Sequence, residues 1–119
     1  MWVMVAGPYR AGGACDAVRR ENLRLLNEAA VQLLRAGHVP IIGVNMALPM
    51  IEAAGADDVA YDEIMLPISL ALAERCDACL RLGAQSKGAD DEVQRFNEAG
   101  KPVYWALSEV PGVVLDVSA

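Results

Sequence analysis

The stretch "VAGPYRAGGACD", Val5 to Asp16, decides the fold. An apolar run of strand length, "WVMVA" (residues 2–6), breaks off at Gly-Pro and leaves through a glycine-rich turn carrying one arginine. Such a run is too short for a helix, and Gly-Pro is a strong stop. An amphipathic segment follows, so strand, glycine turn and helix form the first half of a βαβ unit. A second turn of the same kind, "LGAQSKGADDE" from Leu82 to Glu92, follows the apolar run "ACLRL" (78–82). The relation between the two turns is the main clue to function.

Working outward, the spacing predicts a helix over 16–36, with Asp16 as N-cap and Gly37 as C-cap. "HVPII" (38–42) reads as a second strand, and Pro40 puts it at an edge. Residues 43–56 read as a loop containing Gly, Pro and Met. Asp57 or Asp58 opens a helix that ends near Arg75, and "ACLRL" is the third strand. A helix from about Gly88 to Ala99 stops at Gly100, followed by strands "PVYWAL" (102–107) and "VVLDV" (113–117). This alternation predicts a single doubly wound α/β domain over residues 1–119, with a mainly parallel five-stranded sheet and helices on both faces. The common order for five strands is 2-1-3-4-5, the flavodoxin-like order, in which winding reverses between strands one and three. Ligands bind beyond the carboxyl ends of the strands at that switch point. The two glycine turns are the loops expected to meet there.

Length and charge narrow the function. The chain has 119 residues, 55% hydrophobic, enough for one compact core. Acidic residues outnumber basic ones 16 to 10, a balance that argues against a nucleic-acid surface while leaving room for a small cationic pocket. No apolar stretch reaches the roughly 18 residues of a membrane span. The 3 cysteines are expected to be free thiols in a reducing, cytoplasmic setting, with no secretory leader.

Glycines let backbone N–H groups approach a ligand, and each turn feeds a helix N-terminus where partial positive charge gathers. Gly7, Tyr9 and Arg10 from the first turn, with Ser86, Lys87 and Gly88 from the second, would make a seat for an anion, most simply a phosphate. Neither turn is a Walker P-loop or a G-x-G-x-x-G fingerprint, so ATP hydrolysis and nicotinamide chemistry lose weight and no cofactor is called for. Glu92 is the sharper feature. With Ala89 at zero, Val93, Phe96 and Ala99 fall at roughly +40°, −20° and −80°, and Glu92 at roughly −60°, inside the apolar stripe. A buried carboxylate is costly unless something satisfies or uses it. Either Glu92 caps loop N–H groups or pairs with Arg10, or it is a catalytic carboxylate held ionised by the helix terminus and nearby cations. Asn22 interrupts the stripe of Val18, Leu25, Leu26, Ala29 and Leu33, and either binds ligand or braces the "GPYR" turn. Tyr9 offers a ring or hydroxyl to the pocket, or simply packs.

Other features point away from chemistry. Cys76 and Cys79 form a C-x-x-C at a helix-to-strand junction without a second pair, which argues against a metal. His38 is the sole histidine and starts strand two, at the end of the sheet away from the pocket, so histidine-based triads are excluded. The segment "DEIMLPISLALAERC" is apolar nearly all round, with Ile64, Met65, Leu66, Ile68, Leu70 and Leu72. Its second face is expected to be covered by another copy in a homodimer, or by Met46, Leu48, Met50 and Ile51 of the 43–56 stretch.

Four segments, "AGPYR", "CDACLRL", "SKGADDE" and "AGKPVYW", resemble the nucleoside 2-deoxyribosyltransferase-like superfamily, which includes the 2'-deoxynucleoside 5'-phosphate N-hydrolases. The resemblance runs from residue 3 to 105 and is greatest to a branch of small bacterial domains with this layout. It implies that Glu92 is the nucleophile and that Ser86, six residues earlier, binds phosphate as in the nucleotide hydrolases. "YRAGG" is similar to the phosphate loop of those hydrolases, with Arg10 the firmer carry-over and Gly12 and Gly13 the less firm. The implied substrate is a small-molecule nucleotide or nucleoside, and the implied reaction is N-glycosidic cleavage or transfer through a glycosyl-enzyme. The alternatives are a nucleotide- or nucleotide-sugar-binding module without turnover and a dimeric interaction domain with a vestigial pocket. Two positions depart from the pattern. The enzymes carry an Asp eight residues before the one matching Asp77, where this chain has Ser69, and often a tyrosine where it has Met4. Asp62 lies on the same helix face as Ser69 but roughly 10 Å along the axis.

Overall fold

The computed structural model describes residues 1–10 and 15–114. Four strands, β1 (Trp2–Ala6), β2 (Val39–Ile41), β3 (Ala78–Arg81) and β4 (Val103–Tyr104), form one sheet in the order β2-β1-β3-β4. Every pairing is parallel: Met4 lies opposite Ile41 on one side and Cys79 on the other, and Leu80 lies opposite Tyr104. Pro40 is accommodated because β2 is an edge strand. The expected fifth strand is not formed at Val113 and Val114, and its residues 115–117 lie outside the described residues.

The helices are α1 (Asp16–Arg35), α2 (Gly43–Ala53), α3 (Asp58–Arg75) and α4 (Lys87–Glu98), with a short 3-10 turn over Leu107–Glu109. A strand buried on both faces needs no polar alternation, and β1 is apolar throughout for that reason. Val3 and Val5 face Leu26, Ala29 and Leu33 of α1. Met4 and Ala6 face the opposite layer, with Ala73 of α3 and Ala89, Val93 and Phe96 of α4. Helix α1 caps differently from expectation: Cys15 holds the N-cap position without a side-chain bond, and Ala36 is the C-cap, with Gly37 beyond it at φ 90°. Its buried stripe is also narrower, since Val18 and Leu25 are exposed. Asp57 caps α3 by accepting a hydrogen bond from the Ala60 amide at 2.8 Å.

The main correction concerns residues 43–56, expected as a loop. Of these, Gly43–Ala53 form α2, an 11-residue helix with Pro49 inside it, and only 54–56 are turn or bend. A proline in a helix interior removes one hydrogen bond and clashes with the preceding turn, which is why the stretch reads as irregular. Packing overrides that cost: Ala47 and Ile51 are buried against Ala60 of α3, with Ile64, Met65 and Ile68 alongside. This is the second apolar face of "DEIMLPISLALAERC", so the 43–56 stretch covers it, the alternative to a second copy, through Ala47, Leu48 and Ile51, with Met46 and Met50 exposed. The two helices approach closely at Gly43, where an added Cβ would overlap the Ser69 hydroxyl and come within 3.0 Å of its Cβ. Gly43→Ala should therefore lower the unfolding free energy by about 1–3 kcal/mol. In a Ser69→Gly background that penalty should fall by about half or more, as denaturant titration of the four-variant cycle would read. An unchanged penalty would mean that the contact does not set the α2–α3 approach.

Candidate functional site

The two glycine turns touch each other. Leu82 donates its N–H to the Ala6 carbonyl at 2.8 Å, where β1 and β3 end side by side. Gly7 sits so tightly here that a Cβ would lie 2.7 Å from Leu26 Cδ2 and 2.9 Å from the Leu82 carbonyl oxygen. Gly83, at φ 76°, would meet Pro8 Cδ at 2.8 Å. Glycine at these positions is required by the approach of one turn to the other.

Above this junction lies a cleft of about 420 Å³. The first turn contributes Gly7, Tyr9 and Arg10, and the second contributes Ser86, Lys87 and Gly88. Helix α4 adds Ala89, Asp91 and Glu92; α3 adds Tyr61, Asp62, Met65, Leu66 and Ser69; α2 adds Val44. Asn22 does not line the cleft. Its Nδ2 donates to the Tyr9 carbonyl at 2.9 Å, so it braces the turn from α1. Gly12 and Gly13 lie outside the described residues.

Several of the polar side chains have definite local partners. Ser86 is the N-cap of α4, its hydroxyl accepting from the Ala89 amide at 3.3 Å. Lys87 pairs with Asp91 at 3.3 Å across one helical turn. Arg10 lies 3.6 Å above the Tyr61 ring and pairs with Asp58 at 3.2 Å. Because Asp58 is exposed, that pair is weak and could be exchanged for an incoming anion at little cost. The Tyr61 phenol is raised above its usual range by burial, with Arg10 pulling in the other direction.

Glu92 does face inward with Ala89, Val93 and Phe96, but it is not held ionised. Burial is the dominant influence and pushes its carboxyl up to about 8; Arg81 opposes the rise and Asp91 adds to it. Two causes account for the difference from expectation. Glu92 is the sixth residue of α4, beyond the first turn where the helix terminus has its effect. The cations expected beside it are engaged with Asp58 and Asp91. Among the described residues nothing forms a hydrogen bond or ion pair with its carboxyl, so neither capping nor pairing with Arg10 accounts for it. The cation that acts on it is Arg81, a residue sequence reasoning passed over. A charged residue in the apolar strand "ACLRL" was the available signal.

The two departures also have places. Met4 is fully buried in the layer beneath α3 and α4, away from the cleft. Ser69 reaches the cleft wall, held small by its contact with Gly43. His38 lies at the far end of the sheet, where Nε2–H donates to the Pro111 carbonyl at 2.7 Å and Nδ1 accepts from the Met1 amino group at 3.0 Å. Cys76 and Cys79 are free and buried, and burial pushes their thiols up to about 11 and about 12. Among the described residues no cluster of three or more potential ligands could hold a metal. No helix there is long and apolar enough to cross a membrane.

The raised Glu92 carboxyl carries a sign for stability. Unfolded, it loses its proton near 4.5; folded, it keeps it up to about 8. Between these values the folded state binds the extra proton, so stability falls as pH rises, by an amount on the order of a few kcal/mol. Glu92→Gln should remove this slope. Its Tm should exceed that of the wild type by several degrees at pH 8 and converge with it near pH 4.5. Parallel Tm curves from pH 4.5 to 9 would show that the half-buried Glu92 carboxyl is not desolvated enough to hold its proton.

No family model matches the chain, and no curated protein matches it.

Proposed function

We propose that the chain is an N-glycosidase or deoxyribosyltransferase-like enzyme acting on a nucleoside 5'-monophosphate, with Glu92 as nucleophile and Arg10 and Ser86 on the phosphate. One observation carries this reading: an inward-facing carboxyl shares a single cleft with the cation, hydroxyl and glycine of both βα turns. The rest of the lining suits a nucleotide. Tyr9 and Tyr61 offer aromatic faces, and Val44, Met65 and Leu66 offer an apolar wall for a base. A cytoplasmic homodimer belongs to the same proposal, supported by the free thiols and by the exposed Met46 and Met50 on α2.

In the proposed reaction the ionised Glu92 attacks the anomeric carbon of the sugar. The carbon–oxygen bond forms as the carbon–nitrogen bond breaks through an oxocarbenium-like state, and the bonding pair leaves with the base. A donor must protonate that base. Ser69 is not an acid, and Asp91 is tied to Lys87. Asp62, a cleft carboxyl without an ion pair among the described residues, is the remaining candidate. Water then hydrolyses the glycosyl-enzyme, or a second base accepts the sugar.

A second reading, a nucleotide- or nucleotide-sugar-binding module without turnover, is favoured by specific features. Ser69 is packed on Gly43, Met4 is in the core, and a carboxyl raised to about 8 is mostly neutral at pH 7. Incubation with a panel of ribo- and deoxyribonucleoside 5'-monophosphates, with chromatography of the free base, separates the readings. The enzyme reading expects base release with a bell-shaped dependence of kcat/KM on pH, one limb at about 8 from Glu92 and the other from the proton donor. Glu92→Gln should lose at least about 10³-fold of that rate. Saturable binding of panel members without release of any base would establish the binding module instead.

A further inference from the structure

Arg10 leaves the first turn with its guanidinium laid against an aromatic ring. Its Cζ lies 3.6 Å from the centroid of the Tyr61 ring, close enough for the planar fork to rest on the ring face. Tyr61 is itself backed by the apolar cluster of Ala47, Ile51 and Ala60, so the packing of α2 on α3 holds the ring. A guanidinium carries several N–H donors in one plane. Among the described residues one of them is used: Nη2 donates to Asp58 Oδ1 at 3.2 Å. The Arg10 side chain is 27% exposed and borders the cleft, where its remaining donors can meet a ligand.

Asp58 and Tyr61 stand three residues apart at the start of α3, on one face of that helix. That face therefore offers Arg10 both an aromatic platform and a carboxylate. The two contacts differ in kind. Stacking on a ring fixes the plane of the fork and leaves its edge free. The carboxylate takes the edge, which is the side that recognises a phosphate. Asp58 is 89% exposed, and an ion pair so open to water is weak enough to be exchanged. The ring does not compete with an anion, so its contact can persist in the bound state.

We propose that Tyr61 is a positioning residue for anion binding, a platform that aims the Arg10 fork into the cleft, and that Asp58 is a built-in competitor displaced from that fork by the phosphate of a monoester. The inference deepens the reading given under Proposed function and rests on it in taking Arg10 as a phosphate ligand, but it requires no bond cleavage. A stacked arginine is ordered before the ligand arrives, which lowers the entropy cost of binding. Arrival of the phosphate then frees Asp58 at the start of α3 while the ring contact remains.

Inorganic phosphate is the probe, its affinity read at fixed ionic strength from the NMR shifts of the isotope-labelled protein. Wild type should show saturable shifts that Arg10→Gln abolishes; no saturation in wild type, or unchanged binding in Arg10→Gln, overturns the proposal. Asp58→Asn should tighten phosphate about two- to five-fold. Glu63, another exposed carboxylate of α3, is turned roughly 140° from Asp58 around the helix. Glu63→Gln should change the affinity less than about 1.5-fold, and an equal gain in both variants would overturn the competitor role. Tyr61→Leu should weaken phosphate about two- to ten-fold, and Tyr61→Phe should stay within about two-fold of wild type. A merely structural ring would lower the Tm of Tyr61→Leu without moving the affinity, which overturns the platform. Should Tyr61→Leu fail to fold, the wild-type protein decides. Its Arg10 Nε–H should keep an upfield ring-current shift at saturating phosphate while the Asp58 carboxyl carbon moves. Loss of that shift, or a carboxyl blind to phosphate, contradicts the proposal. Base release has no part in these outcomes, so failure of the glycosidase reading would be seen separately in the nucleotide panel.

Discussion

Everything at the cleft end of this molecule depends on how closely β1 and β3 leave the sheet together. A bond from the Leu82 amide to the Ala6 carbonyl fixes the two exits, and Gly7 fills a space that a methyl group would overrun from two sides. Because the strands are parallel and adjacent, both following turns emerge on one side of the sheet and open into one cleft. Helix α1 then holds the first turn through Asn22, and α4 begins at Ser86 of the second. The cleft is a consequence of strand adjacency before it is a property of any one side chain.

On that scaffold, burial and charge oppose each other at one carboxyl. Glu92 lies on the apolar side of α4, where desolvation favours the neutral acid, and Arg81 supplies the main counter-influence from within the sheet. A site of this kind responds to its contents. A bound anion near Glu92 would favour the proton further, whereas exclusion of water acts on both sides, deepening the desolvation and strengthening the pull of Arg81. The carboxyl is poised near neutrality by these competing contributions.

Much of this was legible in the residues, and the exceptions share a cause. Parallel βαβ order, the edge position of Pro40, the inward placing of Glu92 and the meeting of the turns all follow from periodicity and glycine placement. Helix α2 did not, because Pro49 and Gly43 signal irregular chain locally while their helix is sustained by contacts with α3 that no local pattern encodes. Gly43 in particular is explained only by Ser69, twenty-six residues later. The ionisation of Glu92 was misread for a related reason. The cations expected beside it, Arg10 and Lys87, are engaged elsewhere in space, and the cation that acts on it comes from β3, whose arginine was given no part in the site. Cys15 in place of Asp16 at the N-cap is the smaller kind of error, a shift of one residue at a helix end.

The central claim is that the two turns act as one seat. The most direct measurement is a titration of the nitrogen-15-labelled protein with a non-hydrolysable nucleoside 5'-monophosphate analogue, following the backbone amides. The account predicts that Tyr9 and Arg10 of the first turn and Ser86, Gly88 and Ala89 of the second shift together along one saturating curve. Shifts confined to a single turn, or centred on the groove between Arg95 and Lys101, would contradict it.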